Sequence, residues 1–145
     1  MPYEYKVKEV VRVVDGDTVD IIIDLGFDLT KRERVRVGGV DTPEKRTRNK
    51  KEKMLGLDAT SFAEEWFAKE GDVVVKTSKD GKYGRMIGFF WRGEDDCFNQ
   101  ELIDLGYAWE YDGGTKIEKD NEDFGLDLLA LRGFSSWEEY SEGKS

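Results

Sequence analysis

Three short segments gather the side chains that could do chemistry. Val14-Asp15-Gly16-Asp17-Thr18-Val19 places a carboxylate pair at the mouth of a β-branched run. Arg36-Val37-Gly38-Gly39-Val40-Asp41-Thr42-Pro43-Glu44 brings a guanidinium and two carboxylates together within nine residues. Asp80-Gly81-Lys82-Tyr83-Gly84-Arg85 is a tight-turn sequence that delivers Lys, Tyr and Arg at one place. The chain has no histidine at all, so Ser–His–Asp triads, Cys–His dyads and His-ligated zinc are excluded. Hydrolysis by such a chain must rest on carboxylates, a hard divalent cation and arginines. Oxygen ligands without His or paired Cys point to calcium or magnesium.

Cleaving a phosphodiester on those terms needs four things. A cation neutralises the phosphate, and two carboxylates from separate strand ends hold it while leaving room for water and substrate. A further carboxylate orients or deprotonates the water. Arginines fork onto the phosphate oxygens and stabilise the charge that develops. Asp17, Asp41, Glu44, Arg36 and Arg85 supply this set. Each also has a plainer reading when taken alone. Asp15-Gly16-Asp17 is a common turn, Thr42-Pro43-Glu44 can simply open a helix, Lys82 to Arg85 can be a surface hairpin, and Arg36 can be an ion-pair partner for Asp17 or Asp41.

The elements that must position these residues follow from periodicity. Tyr5–Val14 and Thr18–Asp24 read as strands, and Gly26–Lys31 as a hairpin connection. Glu33–Val40 alternates as a third strand that puts Arg34 and Arg36 on one face, and Gly38-Gly39 marks a bulge or a close backbone approach. The basic stretch after Glu44 has no apolar period and reads as an exposed loop. Asp58–Lys69 is helical, with Ala59, Phe62, Ala63, Trp66 and Phe67 on one face and Gly71 beyond its end. Val73–Val75 and Met86–Trp91 read as further strands, Asn99–Leu105 as a short helix closed by Gly106, Glu122–Leu131 as a last helix, and the tail from Ser141 as frayed. The fold class is α+β, mainly β: a five-stranded oligonucleotide-binding-type barrel with about three helices. The 145 residues suit a single domain with a motif-bearing core over about 5–111 and a C-terminal helix and tail over 112–145.

Charge is unevenly spread. The net charge is −9, yet Lys31 to Lys53 carries ten Lys/Arg against four Asp/Glu, a local +6 on a body of −15. Such a basic segment can meet a phosphate backbone even on an acidic protein, although charge alone equally fits a solvated loop. Cys97 stands alone, so no internal disulfide forms. No apolar run is long enough to span a membrane and the start lacks a leader-like stretch, so the expectation is a cytoplasmic monomer without membrane contact. The acidity fits a phage-encoded or salt-tolerant setting.

In combination and in order, the three segments resemble the staphylococcal nuclease family. Its members carry Asp-Gly-Asp-Thr, then an Arg five residues before Asp-Thr-Pro-Glu, then Lys-Tyr-Gly-Arg; here these are Asp15–Thr18, Arg36 with Asp41–Glu44, and Lys82–Arg85. The resemblance extends over residues 8–111. It implies that Asp17, Asp41 and the Thr42 carbonyl bind Ca2+, that Glu44 activates or positions water, and that Arg36 and Arg85 clamp the phosphate. It implies that Lys82 and Tyr83 contact the neighbouring phosphate and that Tyr111 lies against a base, with Trp109 as the next candidate. Asp15 and Thr18 fall beside the cation rather than on it. The implied reaction is attack of water on phosphorus in DNA and RNA, leaving 3′-phosphate ends. Asn99 is read as a structural anchor that ties loops together, and Trp137 as a side chain docked on the barrel. The alternatives are a catalytically weak nucleic-acid- or protein-binding barrel and an acidic mimic of DNA. The first should have lost part of the set Asp17, Arg36, Asp41, Glu44 and Arg85, and the second leaves the basic segment unexplained.

Overall fold

Val19, Ile21 and Ile23, and likewise Val35 and Val37, are core residues at every second position in the computed structural model, which describes residues 3–78, 86–111 and 123–143. The first strand, β1 (Tyr3–Asp15), pairs antiparallel with β2 (Thr18–Gly26), and β2 pairs antiparallel with β3 (Leu29–Val37). After a two-residue strand, β4 (Val40–Asp41), and the helix α1 (Lys50–Ala68), the sheet resumes with β5 (Val73–Ser78) and β6 (Met86–Arg92). β5 pairs with both β1 and β6, and β6 closes the ring by running parallel to β3 over Val35–Val37. The result is a closed five-stranded mixed barrel, mostly β, of the oligonucleotide-binding type. Three register shifts in β1 show how one strand serves two neighbours. Each bulge adds local twist, so the strand coils from β2 towards β5.

The barrel interior is filled by the inward set of each strand: Val19, Ile21 and Ile23 from β2, Val35 and Val37 from β3, Val75 from β5 and Phe90 from β6. One end is plugged by Ala63 and Trp66 of α1 with Phe98 and Leu102 of α2 (Phe98–Asp104). The short strands β7 (Asp96–Cys97) and β8 (Trp109–Glu110) flank that helix, β7 on β6 and β8 on β4. Asn99 behaves as the expected anchor. Its Oδ1 accepts from the Phe90 amide (3.0 Å), and its Nδ2 donates to the carbonyls of Gly38 (2.8 Å) and Gly88 (3.1 Å). Stranding those buried groups would cost about 1–3 kcal/mol each.

Several boundaries differ from expectation, each for a physical reason. The helix expected from Asp58 starts at Lys50, because Asn49 caps it by accepting from the Glu52 amide (3.1 Å). Its first turns therefore occupy part of the supposed loop. The expected single strand Glu33–Val40 is two strands, β3 and β4, broken at Gly38-Gly39. A side chain at Gly38 would lie 2.7 Å from the Phe89 ring, and Gly39 has φ +74°. The hairpin connection is only Phe27 and Asp28, both left-handed (φ 54° and 63°), so β3 begins already at Leu29. The last expected helix is shorter, α3 (Leu126–Leu131), entered through Gly125 at φ 81°.

A further helix, α4 (Trp137–Glu142), follows, capped by Ser136, so the helix takes in Ser141, where fraying was expected to begin. Trp137 does not enter the barrel. It joins Leu55, Trp109, Phe124, Leu128, Leu129 and Tyr140 in a second core beside it. Among the described residues, no helix is long and apolar enough to cross a membrane.

Candidate active site

The site forms where β2 begins and β3 ends. The Asp15–Thr18 turn closes through its own side chain, the Asp17 amide donating to Asp15 Oδ1 (3.1 Å). Thr18 lies opposite Arg36 in the β2–β3 register. That register delivers the Arg36 guanidinium to the turn, with Nη1 3.3 Å from Asp17 Oδ2. The same guanidinium donates to the carbonyls of Val37 (3.0 Å) and Val40 (2.9 Å), binding turn, strand end and β4 into one unit. Only 19% of the Arg36 side chain and 15% of that of Asp17 are exposed, so the ion pair is poorly screened.

The second segment is brought against the first by β4, whose Asp41 registers with Trp109 of β8. Asp41 and Thr42 are buried, and the Thr42 amide points at Asp17 Oδ2 from 3.5 Å. Glu44 is held differently. Its carboxylate side is exposed, while its backbone amide donates to Oε2 of buried Glu52 in α1 (3.1 Å). The helix comes this close to the Glu44–Lys45 backbone at Gly56, which has no side chain. A Cβ at Gly56 would lie 2.5 Å from the Glu44 carbonyl carbon and 2.6 Å from the Lys45 nitrogen. One turn further on, Ala59 meets the other segment, 2.8 Å from where a Cβ at Gly16 would stand.

The carboxylates do not titrate alike. Asp15 is pushed up to about 6, first by burial and then by the neighbouring Asp17. Asp17 is also pushed up by burial, but its hydrogen bond with Asp15, the Arg36 guanidinium and Thr42 outweigh that and hold it below the usual carboxylate range. The pair therefore keeps its charge on Asp17 and its more readily gained proton on Asp15. Among the described residues, no three His, Cys, Asp or Glu side chains converge tightly enough to hold an ion by themselves. Oxygen is the donor atom that Asp17, Asp41 and the Thr42 carbonyl could offer a cation, a chemistry that would suit a hard one.

Of the residues singled out in the sequence, Asp15, Asp17, Thr18, Arg36, Asp41, Thr42 and Glu44 all lie on these two adjoining segments. Lys82, Tyr83 and Arg85 fall outside the described residues. Tyr111 is half-buried, and its amide donates to the Gly39 carbonyl (2.9 Å), which sets it beside the β3–β4 connection. Trp109 is 6% exposed, donates from its indole to Asp127 and packs on Phe124, so it serves the second core and not a ligand. Sequence reasoning missed Glu52 and Gly56. The signal for Glu52 was present as Asn49-x-x-Glu52, an N-terminal capping pattern hidden inside the basic run.

The sequence profile described as staphylococcal nuclease homologue matches residues 34–127. A thermonuclease of Staphylococcus intermedius is 39% identical over 99 residues, covering 67% of this chain and 55% of that protein. A thermonuclease of Staphylococcus hyicus is 34% identical over 102 residues, covering 69% and 56%. A protein of Escherichia coli O157:H7 described as an uncharacterized endonuclease is 31% identical over 103 residues, covering 71% and 60%. The chain belongs to the staphylococcal nuclease family. It spans little more than half the length of the curated relatives it matches.

Proposed function

We propose that the protein is a calcium-dependent nuclease that hydrolyses phosphodiester bonds of DNA and RNA and leaves 3′-phosphate ends. The observation that carries this reading is the junction at Asp17, whose Oδ2 meets both the Arg36 guanidinium (3.3 Å) and the Thr42 amide (3.5 Å). That junction joins the two carboxylate-bearing segments at a single point, and family membership supports it. Calcium bound by Asp17, Asp41 and the Thr42 carbonyl would neutralise charge on the phosphate. Arg36, half-buried at the end of β3, would receive phosphate oxygens there, where a fork of N–H donors acts strongly. Glu44, exposed but fixed through its backbone, orients or deprotonates the attacking water. Asp15 and Thr18 hold Asp17 in place and in its charged form. Arg85 is assigned the second phosphate clamp, Lys82 and Tyr83 the neighbouring phosphate, and Tyr111 the base, all by resemblance.

The test is digestion of single-stranded DNA, double-stranded DNA and RNA with calcium, with magnesium and with chelator, run beside Glu44→Ala. The expected result is calcium-dependent cleavage with 3′-phosphate ends that the variant loses. A folded protein that cuts none of the substrates would overturn the reading and favour a binding module.

A further inference from the structure

Beyond the site, β3 carries two further arginines, Arg32 and Arg34, that the chemistry above does not use. Val35 and Val37 point into the barrel, so Arg32, Arg34 and Arg36 share its outer face. Successive members stand about 6.7 Å apart, twice the strand rise. This spacing is close to that of successive phosphates along an extended nucleic-acid strand. Arg32 and Arg34 are 64% and 57% exposed at the side chain. Over Leu29–Arg34, β3 has β2 on one side and no second strand partner among the described residues. Arg32 and Arg34 are therefore open to solvent, while Arg36 at the end of the row is 19% exposed.

Among the described residues, Asp20 is the carboxylate that restrains Arg32 and Arg34 closely. Arg34 forks onto Asp20 (Nε to Oδ1 2.7 Å, Nη2 to Oδ2 3.1 Å), and Arg32 approaches the same group at 3.8 Å. Arg12 of β1 registers with Asp20 from the other side. Three arginines thus surround one acid, an excess of positive charge that Asp20 does not cancel. Further along the same face Asp24 registers with Lys6, and Asp24 is occupied in accepting from the Gly26 amide (2.8 Å). Glu9 stands opposite Ile22, and Glu33 is paired with Lys31. At the end of the strand pair, Phe27 is 99% exposed on a left-handed backbone. A basic track ending in a bare aromatic ring is what a single strand needs: charges for its phosphates and a face for a base.

We propose that the outer face of β3 is an extended binding surface for single-stranded nucleic acid, running from Arg36 through Arg34 and Arg32 to Phe27. The inference rests on the nuclease reading for its continuity with the site, and it names the strand type that would lie there. Asp20 then acts as a stand-in anion that occupies the arginines until phosphates replace it.

The test is binding of labelled single-stranded dodecamer and trinucleotide thymidylates to the full chain, read by anisotropy against salt with chelator present. Asp20→Asn should tighten dodecamer binding about threefold or more by releasing two arginines. In that background, where no carboxylate is stranded, adding Arg32→Gln and Arg34→Gln should weaken it about tenfold. The same change should flatten the log–log salt slope by about 1.4, the value for two phosphate contacts on a single strand. Phe27→Ala should cost about fivefold or more for the dodecamer. The trinucleotide, whose two phosphates reach Arg34 but not Arg32 from the site, should lose only about half of that slope.

Unchanged slope and affinity in the arginine variants, or no gain from Asp20→Asn, overturns the proposal. The readout is binding, so it separates from turnover. Calcium-dependent cleavage with identical slopes in all variants would keep the nuclease and remove the surface. Arginine-dependent binding without cleavage would keep the surface and remove the nuclease.

Discussion

Asp17 with Arg36 and Glu44 with Glu52 are two halves of one site held by different means. The first half is set by strand register: Arg36 must reach the turn because Thr18 is its partner across the sheet, and the hydrogen bonds of β2–β3 fix that pairing. The second half rests on a helix pressed against a loop, where the approach of α1 to the Glu44–Lys45 backbone is limited only by the missing side chain of Gly56. A ladder of backbone bonds tolerates a changed side chain. A close backbone approach tolerates no added atom. On the proposed assignment, the metal ligands and phosphate clamp would come from the stiffer scaffold, and the water-handling carboxylate from the more easily displaced one.

The largest expected effect comes from breaking the strand-held half. Arg36→Ala should lower single-turnover cleavage by about 100-fold or more, as loss of one transition-state donor does. Arg36→Lys, which keeps the charge beside Asp17 but loses the planar fork, should stay folded by thermal melting and remain strongly impaired. Near-normal turnover in either would show that register alone does not build the clamp.

The helix-held half sharpens the contrast. Gly56→Ala adds one methyl group where nothing can yield cheaply, so Glu44 moves. Turnover should drop by about tenfold, within the range that small misplacements produce, while calcium affinity measured by titration stays unchanged. A parallel loss of calcium affinity would mean that α1 positions both halves equally.

The smallest effect is expected on the outer face of the same strands. Arg34, first by its hydrogen bonds and then by its charge, holds the Asp20 carboxyl below its usual range. A lowered native value means that this stability is present above the unfolded pKa and is lost as pH falls through the folded one. Acid unfolding of the wild type followed by circular dichroism should therefore include a component below about pH 4. Asp20→Asn should remove that component and leave cleavage of short substrates near normal at neutral pH.

Legibility tracked the same divide. The strand-borne chemistry could be read because β-branched alternation reports register directly, as in Thr18–Asp24 and Arg34–Val37. The helix-borne support could not, because Gly56 looks like a helix breaker and Asn49 and Glu52 are buried in a run of Lys and Arg. Trp137 and Trp109 were visible as aromatics, but their meeting in a second core joins residues far apart in the chain, which no local period encodes. The short strands β4 and β8 were too brief to show a pattern, yet they carry Asp41.

Leu55 gives this arrangement a thermal consequence. It lies in α1 between the residues that face the barrel and the C-terminal helices, and its side chain belongs to the second core. A sub-global opening of α3 and α4 would leave the barrel's amides protected from hydrogen exchange while removing the packing behind one side of α1. Heating would then silence the proposed cleavage through Glu44 before the barrel melts, and cooling would restore it.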